Sequence, residues 1–452
     1  MSKINEYFRL RIVMPLAEKV KGTNSSQWLR RIEEMESWTP EQIVAWQEEK
    51  LRAMIDHVYN HTVYYRRIMD ERGLKPSDIQ HIEDIEKLPV ITKPMINEHF
   101  NEIVPDNIKQ FKYREGRTGG TTGIPMFHYT DEDTWGYETA TKVHHWRKAG
   151  YRFGDPFVAM GSSSLFGKKP SLVRRIYDKI RNEMPLNTVN LTDELCAEYV
   201  EFIKKHKVRY IYGYAGSIYV FTKYVSEHGI DMKQIQGVFT TSENLTDGYR
   251  KLIEKTYDCV VRDCYGARDA GMTAYESDYH KYEVGYNIIA EIINPIEENT
   301  GSVLTTNLLN YAFPLLRYQF GDDVELAPRN ESMGYNGQVI RRVLGRTSDV
   351  MRLENGHNMT STGFAMIMQQ FDVKAFSFNK TGVNEVTLAI VPIEGKYDEK
   401  QEKEIRRTIG KYIGDDAKLV ISKVDHFDPL ANGKRRYFMN EAERFENEDN
   451  RI

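Results

Sequence analysis

The sequence has little cysteine, no long apolar run and no surplus of positive charge, and each absence removes a class of protein. Three cysteines, Cys196, Cys259 and Cys264, are too few and too odd in number for a disulfide framework. They favour a reducing compartment, so we expect a cytoplasmic protein. The 62 Lys and Arg residues nearly balance the 66 Asp and Glu residues. A general nucleic-acid binder carries a basic surplus, so we expect no nucleic-acid partner.

No stretch approaches the roughly 20 apolar residues that a membrane-spanning helix needs. The first residues, MSKINEYFRLRIVMPLAEKVKG, contain only a short apolar core from Ile12 to Ala17, and Pro15 interrupts it. This core is too short for a signal peptide. We expect an ordinary helix docked on the protein, and a surface-lying amphipathic segment is the alternative.

The chain of 452 residues is too long for one simple core. Residues 1–100 have mainly helical periodicity, and TPEQIVAWQEEKLRAMIDHVYNH opens with a Thr-Pro cap signal. Beyond residue 110, helical stretches alternate with the strand-like runs PFVAMGS, VRYIYGY, GVFTTS and CVVRDCYG. This alternation predicts a layered α/β domain.

The last hundred residues have a different pattern of predicted strands and helices. KAFSFNK, EVTLAIVPI and KLVISKVDHF are predicted strands, and KQEKEIRRTIGKYIG is a predicted helix. A segment of this length and α+β pattern is typical of a small domain. We therefore place a large domain at 1–345 and a small one at 346–452, with the boundary near Arg346.

A glycine-rich segment, RTGGTTG at 117–123, lies between the strand-like runs FKYRE and MFHYT, and predicts the loop of a hairpin. Its open backbone N–H groups and its hydroxyls suit phosphate oxygens. It is not a Walker loop, since no Gly-Lys pair in the sequence is followed by Ser or Thr. Taken alone, a loop of this composition is more often a mobile turn.

Four further segments follow in order: CYGARDAG at 264–271, YQFGDD at 318–323, LGRTSD at 344–349 and ANGKRRYF at 431–438. Together with the glycine loop they resemble the adenylate-forming superfamily of acyl-CoA synthetases and adenylation domains. Within it the chain is most similar to the phenylacetate–coenzyme A ligase family, particularly its capsular-polysaccharide (CapK-like) branch. The resemblance covers nearly the whole chain.

The resemblance implies an α/β fold with a large multi-layer N-terminal domain and a smaller, mobile α+β C-terminal domain. The large domain would have a helical lead-in and a core that binds ATP and the acid. The implied reaction joins a small carboxylic acid to ATP as acyl-AMP, releases pyrophosphate, and passes the acyl group to an acceptor. ATP, Mg²⁺ and coenzyme A are the implied substrates and cofactors.

The resemblance assigns phosphate binding to the whole glycine loop, so that the residues around the β- and γ-phosphates would be Thr118, Gly119, Gly120, Thr121, Thr122 and Gly123. Relatives carry a serine-type residue where this chain has Gly119, which removes one donor. Tyr265 would stack on adenine, with Gly266 beside it. Thr241, Ser242 and Glu243 would line the adenine pocket, although a plain strand-end turn explains Glu243 equally well.

The remaining assignments concern charge. Asp269 falls where relatives use a glutamate for Mg²⁺, and Arg268 would pair with the α-phosphate unless the two form a structural ion pair. Asp322 would accept both ribose hydroxyls, whereas we expect Asp323 to be solvated. Arg346 would open the hinge and reach the ribose or phosphates.

Lys434 is the implied catalytic lysine, which would contact both the carboxylate and the α-phosphate. Several readings stay open beside the ligase. The acceptor could be an amine or hydroxyl of a sugar or cofactor, or AMP itself could be transferred to a hydroxyl. A non-catalytic nucleotide binder is the other class, which the departures at Gly119, Asp269 and Ser348 favour and Lys434 opposes.

Other groups of residues give weaker evidence of a functional site. The Cys-x-x-His pair of many relatives is broken here at Ser277 and His280, so we expect no zinc. His57 and His61 predict a packed or solvated pair. Arg317 is either a member of the site or, by default, a surface arginine. YIYGYAGS at 211–218 is either one wall of the acyl pocket, through Tyr212, Tyr214 and Ala215, or a core strand. A homodimer is left open.

Overall fold

A computed structural model describes residues 3–21, 23–117, 126–161, 172–188, 191, 193–243, 245–267, 269–329, 331, 333–346, 350–352, 358–360, 368, 371–382, 385–413, 417–425 and 438–440. The chain divides into two compact units. The larger comprises Met1–Leu245, Tyr249–Phe320 and Val324–Val343, and the smaller comprises Thr246–Gly248, Gly321–Asp323 and Leu344–Ile452.

The first hundred residues are mainly helical, as predicted. Their elements are α1 Lys3–Phe8, a π-helical segment Arg9–Val13, α2 Met14–Lys21, α3 Ser25–Met35, α4 Pro40–His61, α5 Val63–Glu71, 3₁₀ turns at Pro76–Asp78 and Ile82–Lys87, β1 Ile91–Thr92, α6 Lys93–Glu98 and α7 Phe100–Ile103. The Thr-Pro signal marks the start of α4. Thr39 accepts a hydrogen bond from the Gln42 backbone N–H at 3.3 Å, and the Gln42 side chain accepts one from the Thr39 N–H at 2.8 Å.

The predicted hairpin forms around the glycine loop, after a 3₁₀ turn at Ile108–Gln110. Strand β2 (Tyr113–Arg117) pairs antiparallel with β3 (Phe127–Asp131). The residues between them, 118–125, lie outside the described residues.

The α/β alternation produces a mixed sheet, which contains twelve strands in the described part of the chain. Its strands besides β1 are β4 Phe157–Gly161, β5 Glu183–Asn187, β6 Tyr210–Tyr214, β7 Gly237–Thr241, β8 Val260–Ala267, β9 Met272–Asp278, β10 Lys281–Val284, β11 Ile288–Glu297, β12 Thr300–Asn307, β13 Tyr318–Leu326 and β14 Val339–Arg346. They lie in the order β11-β12-β13-β14-β10-β9-β8-β7-β6-β4-β5, and β1 pairs with β13.

Strands β5, β4, β6, β7 and β8 are parallel neighbours. The helices around them are α8 Glu132–Lys148, α9 Leu172–Arg181, α10 Asp193–Lys205, α11 Ala215–Glu227 and α12 Asp247–Tyr257. One face of this block packs on a buried aliphatic cluster that includes Ile211 and Phe221. The other face packs on aromatic rings, where Trp146 of α8 stacks on Phe239 with ring centroids 4.4 Å apart.

Strand β6 lies so close to β4 that one position of β6 requires glycine. A Cβ at Gly213 would overlap the carbonyl oxygen of Met160, so only glycine fits there. Both faces are apolar because helices cover both sides of a parallel block.

The smaller unit contains the predicted α+β tail. Its elements are β15 Val350–Arg352, β16 Asn358–Thr360, β17 Val373–Gly382, β18 Glu385–Pro392, α13 Glu399–Ile413, β19 Lys418–Lys423 and β20 Phe438–Asn440. Four of these strands form a sheet in the order β19-β18-β17-β20. Helix α13 packs on it through Ile405, Ile409 and Ile413, which meet Phe378 and Leu388 in one core.

Candidate active site

Two segments predicted to line the adenine pocket, and one predicted to line the acyl pocket, end at the same edge of the sheet. Tyr214 of β6 pairs in register with Thr241 of β7, and Thr241 pairs with Cys264 of β8, which Tyr265 follows. Ligands of α/β sheets bind outside the carboxyl ends of parallel strands. The strand order therefore brings the predicted adenine residues together, although they are distant in the sequence.

The turn after β7 is held by its own side chain. Ser242 has a left-handed backbone with φ of 67°, which is uncommon for serine. The next residue, Glu243, accepts a hydrogen bond from the Gly216 N–H at 2.8 Å, in the first turn of α11. A carboxylate at a helix N-terminus is favoured by the helix dipole. This contact matches the strand-end turn, and the adenine contact of Glu243 stays a prediction.

Tyr265 and the tyrosines of β6 are well buried. Tyr265 belongs to the large core of the unit, and Tyr214 and Ala215 are also buried. Tyr212 is half-buried, and its ring lies 5.0 Å from the Trp146 ring. The Lys142 ammonium lies 5.2 Å from the centre of the Tyr212 ring. These contacts favour the core-strand interpretation of YIYGYAGS, with Tyr212 at its margin.

A tyrosine hydroxyl connects two of the predicted motifs. The buried Tyr318, at the start of β13, donates a hydrogen bond to Oδ2 of Asp269 at 2.9 Å. The same hydroxyl lies 3.8 Å from Sδ of Met126, just after the glycine loop. A phenol that donates to a carboxylate fixes its orientation. Sequence reasoning quoted the YQFGDD motif but gave Tyr318 no role, because nothing local shows where its hydroxyl points.

Tyr318 is itself placed by Arg317, which we had expected at the surface. That expectation was wrong. The Arg317 side chain is largely buried, pairs with Glu291 at 3.0 Å, and donates to the carbonyl oxygen of Leu88 at 2.6 Å. Its backbone carbonyl accepts from the Ile91 N–H at 3.1 Å, which ties β1 to the start of β13. The arginine therefore joins the helical lead-in to the strand that holds Asp269.

The hairpin after the glycine loop is also anchored. Asp131, at its far end, accepts from the Thr134 N–H at 2.9 Å and caps α8. It also accepts from the Tyr311 N–H at 2.7 Å. Burial raises the pKa of Asp131 to about 6, against the lowering effect of these hydrogen bonds. The hairpin thus has a fixed base.

Strand β13 carries the predicted ribose ligand. Both Asp322 and Asp323 are buried. The expectation that Asp323 would be solvated was therefore wrong, because β13 is an inner strand of the sheet, between β12 and β14. The ribose contact of Asp322 stays a prediction.

A buried polar network lies directly under the carboxyl edge of β7 and β8. Asp263, two residues before Tyr265, accepts from the Thr240 hydroxyl at 2.5 Å and from the Tyr282 hydroxyl at 3.1 Å. Its backbone N–H donates to Glu276 at 3.0 Å. Arg250 donates to both oxygens of Glu276 at 2.7 Å. Since every residue of this network is buried, it fixes the strands that carry Thr241 and Tyr265.

This network predicts a pH dependence of stability. Burial raises the pKa of Asp263 to about 6, above its usual 3.8. The folded state then binds the proton more tightly than the unfolded state, so the contribution of Asp263 to stability falls as pH rises through 4 to 6. We expect Asp263→Asn to reduce this decline in the free energy of unfolding, as measured by urea titration across that pH range. Asp278→Asn, at an exposed position of β9, is the control and should leave the profile unchanged.

A further prediction concerns Tyr318. Removing its hydroxyl as Tyr318→Phe leaves Asp269 without its positioning donor, and a hydrogen bond to a charged group contributes about 1.5–3 kcal/mol. We expect the rate of acid-dependent ATP–pyrophosphate exchange to fall by about tenfold or more, with a higher half-saturating Mg²⁺ concentration. Tyr335→Phe removes a distant hydroxyl that donates to Val284 O at 2.8 Å, and it should leave the Mg²⁺ dependence unchanged. An unaltered Mg²⁺ dependence in Tyr318→Phe would contradict the role.

Several predicted residues lie outside the described residues, so their roles stay predictions: Thr118, Gly119, Gly120, Thr121, Thr122, Gly123, Arg268, Ser348 and Lys434. Arg346 ends β14, and only its backbone is described. Gly266 pairs with Thr273, and a Cβ there would contact the carbonyl of Met272.

The histidines form a pair, as predicted, with ring centroids 5.3 Å apart, and His57 is buried whereas His61 is partly solvated. His57 Nε2 lies 2.9 Å from the carbonyl of Tyr311, and His61 Nδ1 lies 2.8 Å from an oxygen of Asp106. Within the described ranges, no three His, Cys, Asp or Glu residues group as metal ligands. No helix among the described residues is long and apolar enough to span a membrane.

Sequence comparison finds relatives that match most of the chain, although no protein-family model matches it. Protein CapK of Staphylococcus aureus is 22% identical over 401 residues, covering 87% of this chain and 88% of the relative. The phenylacetate-coenzyme A ligase of Aromatoleum evansii is 23% identical over 436 residues, covering 90% and 96%.

Comparison with solved structures also finds a coenzyme A ligase. 2-Hydroxyisobutyryl-CoA ligase, in its postadenylation state with R3-HIB-AMP, superimposes with a TM-score of 0.71 at 16% identity, over 92% of this chain and 93% of that one. The chain therefore shares the fold of this ligase. ATP-bound MatB from Rhodopseudomonas palustris matches with a TM-score of 0.52 at 14% identity, over 74% and 67%. The predicted fold class of the adenylate-forming enzymes, an α/β N-terminal domain followed by a smaller C-terminal domain, is confirmed.

Proposed function

We propose that the protein is an ATP-dependent ligase that activates a small carboxylic acid as acyl-AMP, releases pyrophosphate and transfers the acyl group to coenzyme A. The observation that carries the proposal is the Tyr318 hydroxyl, which joins Met126, next to the glycine loop, to Asp269. The segment just after the glycine loop and the CYGARDAG motif, which resemble two parts of a nucleotide site, thus both contact the Tyr318 side chain. Similarity to phenylacetate-coenzyme A ligases supports the reaction class.

The chemistry requires two anions to meet, because a carboxylate attacks the α-phosphorus of ATP. The glycine loop, Thr118 to Gly123, would hold the β- and γ-phosphates through backbone N–H groups and hydroxyls. Asp269 fits Mg²⁺, since a carboxylate oriented by Tyr318, together with substrate phosphates, is a usual donor set for this ion. Bound Mg²⁺ would offset phosphate charge. Arg268 would add a guanidinium at the α-phosphate, and Tyr265 and Asp322 would fix the nucleoside.

We further propose that residues 1–345 bind the nucleotide and acid and that 346–452 form a mobile domain. Arg346 opens the hinge, and Lys434 supplies the positive charge for the adenylation step. The cysteine content favours the cytoplasm. A homodimer stays open.

Similarity to CapK favours a second candidate for the acceptor. The two chains match along nearly their full lengths. In that case the acyl group, or AMP itself, would pass to an amine or hydroxyl of a sugar or cofactor. The departures at Gly119, Asp269 and Ser348 would suit a third reading, a nucleotide binder without catalysis.

ATP–pyrophosphate exchange across a panel of aryl, alkyl and amino acids tests the proposal. We expect exchange that depends on Mg²⁺ and on one class of acid. Coenzyme A added to the active acid should then give a thioester. Exchange without thioester, but with transfer to a sugar, would replace coenzyme A as the acceptor. Pyrophosphate release driven by a hydroxyl compound alone would indicate AMP transfer. Nucleotide binding without exchange would overturn the ligase.

A further inference from the structure

In the helical run at the start of the chain, α1 to α2, acidic side chains are buried and large apolar side chains are exposed. This is the reverse of an ordinary docked helix. Its acids point inward: Glu18 accepts a hydrogen bond from the Ser26 N–H at 2.8 Å, and Glu6 pairs with Arg147 at 3.0 Å. Met14 is buried with them. A surface helix of a globular protein normally buries its apolar stripe.

The large apolar side chains of this run are exposed instead. The exposed fractions are Tyr7 66%, Phe8 51%, Ile12 46% and Leu16 59%. Helix α9 packs against α2, and the Arg9 guanidinium donates to the carbonyl oxygen of Ile180 at 2.8 Å, near the end of α9. Helix α9 adds two exposed apolar side chains one turn apart, Leu172 at 72% and Ile176 at 53%. Two helices in contact thus both expose large apolar side chains, and exposed apolar surface in a soluble protein marks an interaction site.

Among the described residues of these helices, the exposed charged side chains have one sign. Arg11, Lys19, Arg175 and Lys179 are exposed. The described acids of the two helices are not exposed, since Glu6 and Glu18 are buried and Asp178 is half-buried. An exposed apolar face with a basic border is the composition of segments that lie in the interface of an anionic bilayer.

A cavity beside the helical run extends the basic border. It encloses about 530 Å³ and is lined by Tyr7, Leu10, Arg11, Arg30, Arg147 and Arg152, among others. The two acids of its wall, Glu6 and Glu33, both pair with Arg147. The wall therefore has a surplus of guanidinium groups, which suits anionic headgroups.

We propose that this surface, formed by Tyr7, Phe8, Ile12, Leu16, Leu172 and Ile176 with its basic border, docks the protein onto an anionic lipid bilayer. The chain lies on the membrane without spanning it. Apolar side chains enter the interface, and Arg and Lys side chains meet lipid phosphates. The proposal concerns a face of the larger unit and does not depend on the ligase chemistry.

Vesicle flotation with the full chain tests the proposal. We expect the protein to float with vesicles of phosphatidylcholine and phosphatidylglycerol but not with phosphatidylcholine alone, and to detach as salt rises. Arg175→Gln and Lys179→Gln should each lower the partition coefficient about fivefold. Ile12→Glu combined with Ile176→Glu should abolish flotation. Ile296→Glu, an exposed position on β11, is the matched control and should float like the parent chain.

Light scattering and tryptophan fluorescence accompany each variant. We expect the Ile12→Glu, Ile176→Glu chain to keep its folded fluorescence and its oligomeric state. Failure of the parent chain to bind anionic vesicles would overturn the proposal. So would a parent oligomer that this variant splits, because the surface would then join two copies of the chain.

Discussion

Replacing Lys434 with alanine is expected to lower acid-dependent ATP–pyrophosphate exchange by about 10²–10³-fold, the usual cost of losing one preorganised donor at a developing charge. A single contact between unit charges at about 4 Å is worth about 4 kcal/mol before desolvation at an effective dielectric constant of 20. Adenylation brings a carboxylate onto a polyphosphate, so this contact strengthens as the reaction proceeds. ATP binding should change little, because the proposed contact of Lys434 forms mainly in the transition state.

The described strand nearest to Lys434 in the sequence is β20. Strand β20 begins at Phe438, four residues after Lys434, and pairs in parallel with β17 from Phe378 onward. Arg435→Ala and Arg436→Ala, in the same segment, are the matched controls and should lower the exchange rate much less. An exchange rate of Lys434→Ala near that of the parent chain would remove the catalytic assignment.

Replacing Arg250 with methionine is expected to destabilise the larger unit by about 3–5 kcal/mol, the typical cost of leaving a buried charge without its partner. Arg250 donates both hydrogen bonds to Glu276 at 2.7 Å and a further one to the carbonyl of Val261 at 3.0 Å. Glu276 is buried and would lose the partner of its carboxylate, which weakens the network beneath β8.

Urea unfolding followed by tryptophan fluorescence measures this effect. All five tryptophans lie before residue 150, in the larger unit, so the signal reports on that unit. Lys251→Met, at the neighbouring exposed position on α12, is the control and should shift stability by less than about 0.5 kcal/mol. The double variant Arg250→Met, Glu276→Gln should recover part of the loss, because it also removes the uncompensated carboxylate. A loss as small as that of Lys251→Met would show that the pair contributes little.

The local sequence pattern was sufficient to predict the helices and strands themselves. The runs VRYIYGY, GVFTTS and CVVRDCYG became the parallel strands β6, β7 and β8, since short apolar runs between polar turns have few alternatives. FKYRE and MFHYT became a hairpin for the same reason. Ordered motifs also indicated the superfamily, because each carries the residue types that phosphate and nucleoside chemistry require at a fixed place in the chain.

Local pattern failed where a side chain's partner comes from far along the chain. Arg317 looked like a surface residue, and only the pairing of β1 with β13 buries it against Glu291. Asp323 looked solvated, and only the position of β13 within the sheet encloses it. The network of Arg250, Glu276 and Asp263 exists because β9 folds back beside β8.

By itself the sequence determined the order of helices and strands, the two-part organisation of the pattern and the residue types of each motif, because propensity, periodicity and residue type act over short distances. Tertiary structure alone decided which of those residues meet. Tyr318 reaches both Met126 and Asp269 only once strand order is fixed. The exposed apolar face of α1 and α2 likewise emerges only from how the helices dock, since burial depends on neighbours that no local pattern specifies.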